Sequence, residues 1–359
     1  MKRLTTVFAV FMLCCCILFA KGAVERQADI NKTVQFTDSC GRTVELPAEI
    51  TKAAPSGNVA TMMFSCIAPE YMCNMNSELT AAQAEYLPKS LQGLPATGQL
   101  YGSKAVLNYE ELIATGAQVL VDLGDYKKGI AEDLDALQAQ TGIPCIFIEA
   151  DLAHMAQAFR TLGLLLDGKK ERGEEIANFI EEALQTAERC SARIKDNERV
   201  SVMFSSLSKG LGTNAKGSTQ AQVLELVGAE NAIVTEKITS KGGGTLVSIE
   251  QVYAADPDVI IFSEQDAYEN AATDPAWKEI RAIKEGRYYL VPTQPYNWLS
   301  NPPSLNMVLG IYWLGNLLYP QYFDYDIAAQ VKRIYKVFWD YDLSPAQTEA
   351  FLRNARQVK

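Results

Sequence analysis

Residues Lys169–Ile194, KKERGEEIANFIEEALQTAERCSARI, constrain this chain more than any other stretch. They contain no proline, and their only glycine, Gly173, falls in the first turns. Ile176, Phe179, Ile180, Ala183, Ala187, Cys190 and Ile194 recur at three-and-four spacing, which marks one buried helix face. At about 1.5 Å per residue the segment predicts a rod of roughly 40 Å, enough to cross a small domain. Asp196-Asn197 closes it, and an apolar run, Val200–Phe204, starts at once. Such a rod between two α/β-patterned halves predicts a strut joining two lobes. Spacing alone also allows an ordinary crossover helix inside one large α/β domain.

The flanking halves carry a repeat. Leu107–Asp125, LNYEELIATGAQVLVDLGD, matches Val247–Gln265, VSIEQVYAADPDVIIFSEQ, at a constant offset of 140. Asn108 and Ser248 stand as helix caps, Glu110 and Glu250 as first-turn acids, and Val119 and Val259 begin a continuous apolar strand. A strand apolar on both sides after a helix implies a parallel sheet covered on both faces. A helix and another strand follow each copy, at Ile143–Ile148 and at Tyr288–Val291. Ahead of the first copy, Val34–Leu46 reads as a β-hairpin around Asp-Ser-Cys-Gly, and Lys52–Ser65 as a strand, a Pro-Ser-Gly turn and a helix start. Met62, Met63, Met72 and Met75 cluster there, as core filler or facing a ligand. The tail is helical over Asp326–Gln357, with Ile327, Val331, Ile334, Val337 and Phe338 on one side.

With 359 residues, 48% hydrophobic and 21% charged, the chain can bury a full core in two lobes. Lys2-Arg3, the apolar run Leu4–Ala20 and the small-x-small Ala20-Lys21-Gly22 predict an export leader cleaved after Gly22. Its roughly 17 apolar residues are short for a membrane span. Leu13 three residues before Cys16 resembles a lipoprotein signal, with Cys16 as the lipid-bearing residue, although Cys14 and Cys15 replace the usual small residues. Net charge is -10, and losing Lys2, Arg3 and Lys21 with the leader takes it to -13. That balance argues against nucleic acid and against a polybasic membrane contact. The cysteines beyond the leader, Cys40, Cys66, Cys73, Cys145 and Cys190, are no disulfide framework. Cys66 and Cys73 are near enough in sequence to bond, while Cys145 and Cys190 read as buried thiols.

Catalytic signatures are wanting. The sole histidine, His154, lies in an amphipathic stretch and is expected to take no catalytic or metal role, since one histidine makes no multi-histidine site. Gly210–Thr219, GLGTNAKGST, fails the phosphate-loop pattern, and Gly242-Gly243-Gly244 reads as a turn. Neither catalytic residues nor a protein-held metal or cofactor is expected, and the chain reads as a binding protein rather than an enzyme.

NYEELIATGAQVLVDLG, STQAQVLELVGAENAI (Ser218–Ile233), VSIEQVYAADPDVIIF, DPAWKEIRAIKEGRYYLVP (Asp274–Pro292) and NPPSLNMVLGIYWLGNLLYP (Asn301–Pro320) resemble the iron-siderophore and cobalamin type of ABC-importer substrate-binding protein. The resemblance runs from about Val34 to the C-terminus. It implies an α/β, class III periplasmic-binding-protein fold, with two Rossmann-like lobes of parallel sheet joined by a single long helix. The expected organisation is a signal peptide at 1–22, an N-terminal lobe at 34–167 and a linking helix at 168–197. A C-terminal lobe at 198–322 and helices at 323–359 packing on the lobes follow.

The resemblance further implies an exported monomer, periplasmic or on the outer face of the cytoplasmic membrane. Its partners would be an ABC permease dimer with its ATPase, docked through Glu110 and Glu250. Read without the resemblance, those two acids are dipole-favourable first-turn residues. Ligands of the family bind between the lobes at strand-end loops, here Ser56–Met63, Gln99–Gly102, Gly124–Tyr126, Ser205–Ser206, Gly212–Lys216 and Tyr296–Asn301. Tyr101, Tyr126, Tyr296 and Trp298 could stack on a flat or chelated ligand, or simply pack on their own lobe. Asn214 could supply a polar contact, and Lys216 and Lys241 could neutralise an anionic one. A metal chelate is the implied ligand: a ferric siderophore, haem or corrinoid. No arginine cluster marks these loops, which weighs against a highly charged siderophore. WLSNPPS (Trp298–Ser304) also resembles members that handle oxyanions or nickel and cobalt chelates, so molybdate or tungstate, or a nickel or cobalt chelate, is the alternative cargo. A metal-chelatase-like enzyme is the alternative of another class.

Overall fold

The computed structural model describes residues 32–102, 106–235, 244–299 and 302–356. The leader, Cys16 and Lys241 lie outside the described residues. Thr33–Thr37 (β1) and Thr43–Pro47 (β2) form the expected antiparallel hairpin, Phe36 opposite Val44. In the N-terminal lobe Ala53–Pro55 (β3), Val119–Gly124 (β4) and Cys145–Glu149 (β5) make a parallel sheet in the order β3-β4-β5. Asn58–Ile67 (α1) follows β3, and Tyr109–Ala114 (α2) precedes β4. Ile130–Thr141 (α3) links β4 to β5, and Met155–Leu165 (α4) leaves β5. Every residue of β4 is buried because both sheet faces are covered. Val119, Val121 and Leu123 join the main core, while Leu120 and Phe147 pack with Ile130, Leu134 and Leu137 of α3.

Lys170–Ser191 (α5) is the long helix, 22 residues and about 33 Å. It is shorter than its hydrophobic pattern because Ala192–Arg193 turns out of it, although Ile194 beyond the turn is still buried. All the expected face residues are buried. Gly173 lets α5 approach α4: a Cβ there would stand 2.6 Å from the Phe159 carbonyl oxygen and 3.0 Å from Gly163 Cα.

The C-terminal lobe holds Ser201–Ser205 (β6), Glu230–Asn231 (β8), Val259–Phe262 (β10) and Tyr288–Leu290 (β11), parallel in the order β11-β10-β6-β8. A small antiparallel pair, Gly212–Thr213 (β7) and Thr245–Leu246 (β9), sits beside it. Gln222–Leu226 (α6) packs on α5, and Ile249–Ala255 (α7) precedes β10. The repeat is thus real in space: β3-β4-β5 corresponds to β6-β10-β11, with β8 added at one edge.

Met307–Leu318 (α8), Ile327–Trp339 (α9) and Pro345–Leu352 (α10) complete the chain. The helix α9 does not stay on one lobe. Its Trp339 Nε1 donates to Ser65 Oγ of α1 at 3.2 Å, and Tyr335 packs edge-on to Tyr86 in the N-terminal half. Arg172 of α5 donates to the carbonyls of Cys66 (2.9 Å) and Phe338 (3.2 Å), joining the ends of α1 and α9. A cation satisfies free carbonyls at a helix C-terminus and favours its dipole. One core therefore runs through both lobes, from Phe64 and Ile146 by Ile180 to Val202 and Ile261. Met62, Met63, Met72 and Met75 are core residues.

Cys66 and Cys73 do not bond. The Cys66 thiol donates to the Met62 carbonyl and the Cys73 thiol to that of Ala53, and burial raises both pKa values. Cys145 and Cys190 are buried thiols as expected. Among the described residues no helix is long and apolar enough to cross a membrane.

Candidate binding cleft

Parallel strands deliver their following loops to one edge, so a parallel-sheet lobe gathers its ligand-facing residues at the strand C-termini. In the N-terminal lobe β3 delivers Ser56-Gly57, β4 delivers Asp125-Tyr126, and β5 delivers Glu149–His154. Gln99–Gly102 lies against the first of these: the Leu100 N–H donates to the Ser56 carbonyl at 2.8 Å, and Gly57 backs onto Gln99 Cβ. In the C-terminal lobe β6 delivers Ser205-Ser206, and β7 runs into Asn214–Ser218. The two sets come closest at Asp125 and Thr219, where the Thr219 side chain is near enough to favour the Asp125 carboxylate across the lobes. Burial and the charge of Asp151 push that carboxyl up. Ser56, Ser205, Ser206, Thr213, Asn214 and Ser218 are all buried, so the strand ends are lined by small neutral polar groups.

The expected ligand residues separate into three kinds. Tyr126 is exposed (60%), with its ring edge-on to Phe147 at 6.4 Å. Tyr101 is half-buried, donates to Asp133 Oδ2 at 2.8 Å, and carries Lys127 Nζ 4.6 Å from its ring centre. Burial and the Asp133 carboxylate raise its pKa. Asn214 is buried, its carbonyl accepting from Asn231 Nδ2 at 2.7 Å, and Lys216 is exposed. Tyr296 is half-buried and lies tilted against Trp339 at 6.4 Å, and burial raises its pKa too. Trp298 corrects the sequence reading: it is 0% exposed, its Nε1 donates to the Gln294 carbonyl, and its ring meets Trp313 and Phe351. An indole so enclosed belongs to the core and offers no stacking face to a ligand.

Two clusters escaped the sequence. Asp122 of β4, 4% exposed, accepts from Ser56 Oγ and lies 3.7 Å from Lys127 Nζ. Burial pushes its carboxyl up, and Lys127 opposes that. Glu149, Asp151 and His154 bring their donor atoms within 4.8 Å of one another at the end of β5. An Asp inside an apolar strand was the available signal for the first. The second could only be found by knowing where β5 ends.

Glu110 and Glu250 occupy equivalent exposed first turns. Asn108 Oδ1 accepts from the N–H groups of Glu110 and Glu111 at 3.1 and 3.3 Å. Ser248 and Gln251 form a reciprocal capping box, and a hydrogen bond from Ser248 holds the Glu250 carboxyl below its usual range. A cavity of about 360 Å³ lined by Arg199, Asp258, Arg287 and Tyr289 opens at the start of β6, the opposite end of that strand from the cleft.

A family model described as periplasmic binding protein matches residues 92–295. The chain is 29% identical over 184 residues to the molybdate-binding protein MolA of Haemophilus influenzae, a match covering 49% of each. The chain thus spans about half the length of that curated relative. Among solved structures it is similar to an ABC transporter solute binding protein from Sulfurospirillum deleyianum. The TM-score is 0.81 at 26% identity, covering 89% of this chain and 99% of that one. A periplasmic solute binding protein from Veillonella parvula shares the fold at TM-score 0.72 and 23% identity, covering 90% and 98%.

Proposed function

The chain belongs to the periplasmic binding protein family, and on that footing we propose that it is the extracytoplasmic solute-binding component of an ABC importer. The observation that carries this reading is the repetition of a parallel-sheet lobe on either side of α5, with Asp125 of one lobe near Thr219 of the other. A small solute held there contacts both lobes at once. Export, by the leader at 1–22 with or without a lipid on Cys16, belongs to the same reading. So do a permease dimer with its ATPase as partner and docking through Glu110 and Glu250.

Two cargo classes follow from the cleft. A metal chelate (ferric siderophore, haem or corrinoid) would stack on Tyr101, Tyr126 and Tyr296, with Asn214 and Lys216 as polar contacts. A compact oxyanion, molybdate or tungstate, has more in its favour. Trp298 is withdrawn into the core, the strand ends carry small hydroxyls and an amide, and a molybdate-binding protein is a relative. Ser56 and Ser205 already donate, to Asp122 and to the Gly210 carbonyl. The buried hydroxyls of Thr213 and Ser218 have no partner among the described residues and suit a desolvated anion, because each O–H offered stands in for a lost water.

Thermal unfolding against molybdate, tungstate, cobalamin, haem, ferric siderophores and nickel and cobalt chelates tests the proposal. A ligand at about 100 times its Kd adds about 2.7 kcal/mol, a rise of several degrees. Shifts with molybdate and tungstate alone establish the oxyanion reading. A shift with one chelate replaces it with the chelate reading, and a flat panel overturns the receptor reading for all these cargoes.

A further inference from the structure

The chain's one histidine stands between two carboxylates. Glu149 closes β5, its N–H held by Ser39 Oγ at 2.9 Å, and Asp151 and His154 follow in the turn into α4. Asp151 Oδ1 accepts the His154 backbone N–H at 2.9 Å and lies 2.7 Å from His154 Nδ1. That turn accounts for Asp151. It does not account for Glu149, nor for a partly exposed imidazole set beside both acids. Among the described residues no lysine or arginine is ion-paired to Glu149 or Asp151. A third carboxyl, Asp125, is near enough to Asp151 to feel its charge.

We propose that Glu149, Asp151 and His154 bind a divalent transition-metal ion such as Co2+, Ni2+ or Zn2+ at the lip of the cleft. Two donors on opposite sides of an ion, each at about 2.1 Å, stand about 4.2 Å apart. The observed spread, within 4.8 Å, closes onto one ion by small rotations of the exposed imidazole and the two half-buried carboxylates. One imidazole with two carboxylates selects a borderline ion, whereas Mg2+ and Ca2+ prefer all-oxygen shells. Three protein donors leave positions open to water or to a donor atom of a solute. The ion's two charges also cancel those of Glu149 and Asp151, so an anionic solute would meet an open metal position there instead of two unpaired carboxylates.

The test uses tag-free protein stripped with EDTA and titrated calorimetrically with CoCl2 and NiCl2, with MgCl2 as control. A single Co2+ per chain is expected, with visible d–d absorption and no Mg2+ response. His154→Gln and Glu149→Gln should each weaken Co2+ by ten-fold or more. Asp151→Asn also alters the turn, so Glu149→Gln, whose side chain caps no backbone group of that turn, decides together with a check of unchanged Tm. Absent Co2+ binding, or affinity unchanged in both variants, overturns the site. No cargo or permease is present, so the result is independent of the importer reading. A flat cargo panel with a positive Co2+ titration discards the importer cargoes and keeps the metal site.

Discussion

Arg333 and Glu182 meet in a two-point ion pair, Nη1 to Oε1 at 2.5 Å and Nη2 to Oε2 at 2.6 Å, that pins α9 to α5. The same guanidinium lies 4.7 Å from the ring centre of Phe179. Both partners are about half exposed, which limits the pair to about 0.5–1 kcal/mol. Arg333 holds the Glu182 carboxyl below its ordinary 4.5. A depressed folded pKa stabilises above the unfolded value and loses that contribution as pH falls through the folded one. Glu182→Gln should therefore cost about 0.5–1 kcal/mol at pH 7, and the deficit should shrink in urea melts as the pH falls below 4.5.

Asp122 runs the other way. Its folded pKa lies above the ordinary 3.8, so the folded state holds the proton more tightly and stability falls as pH rises through the raised value. Asparagine keeps an acceptor for Ser56 Oγ and removes a buried charge. Asp122→Asn should be at least as stable as the parent at pH 7, with the gap closing towards pH 4 in guanidinium melts. A loss above about 2 kcal/mol at pH 7 would show that attraction to Lys127 outweighs desolvation.

Gly173→Ala pits two effects against each other. Helix propensity favours alanine by about 1 kcal/mol. The new Cβ would sit 2.6 Å from the Phe159 carbonyl oxygen, a backbone atom that cannot rotate away. Overpacking should win, with a net loss of about 1–3 kcal/mol and a lower Tm. A neutral result would mean that α4 and α5 slide apart freely.

Glu110→Gln with Glu250→Gln separates docking from capture. Both side chains are exposed and sit on caps that the substitutions leave intact. The double variant should bind its cargo and melt as the parent does, yet lose uptake in cells. Uptake at the parental rate would leave these glutamates as helix-terminus acids only.

The lobes share one core through α5 and are strapped a second time by α9, so ligand binding should move them by only a few Å. Small-angle scattering with and without ligand checks this, and a marked compaction on binding would contradict it.

Much of this was legible in the sequence because it rests on periodicity. The face of α5, the offset of 140 between β4 and β10, and the caps Asn108 and Ser248 are local patterns, and local patterns survive folding. What failed was contact across the chain. Trp298 sits in a loop that reads as a ligand rim, but residues 298, 313 and 351 meet only after the tail folds back. His154 looked solitary because its two carboxylate neighbours are acids of an unremarkable turn until β5 fixes their directions. The end of α5 was overestimated because Ile194 keeps its apolar contact after the helix has stopped.

Trp339 reaching Ser65 has a consequence for the order of assembly. The first lobe is finished by nearly the last helix, so α1 and the ring of Tyr86 lack part of their cover until residues 327–352 have been made. A nascent chain in that condition has its earliest core open to water, at an apolar cost of about 25 cal/mol per Å² left uncovered. It cannot settle into its final packing while it is still growing. Late closure by the tail thus keeps the front half pliable until the last helices are in place.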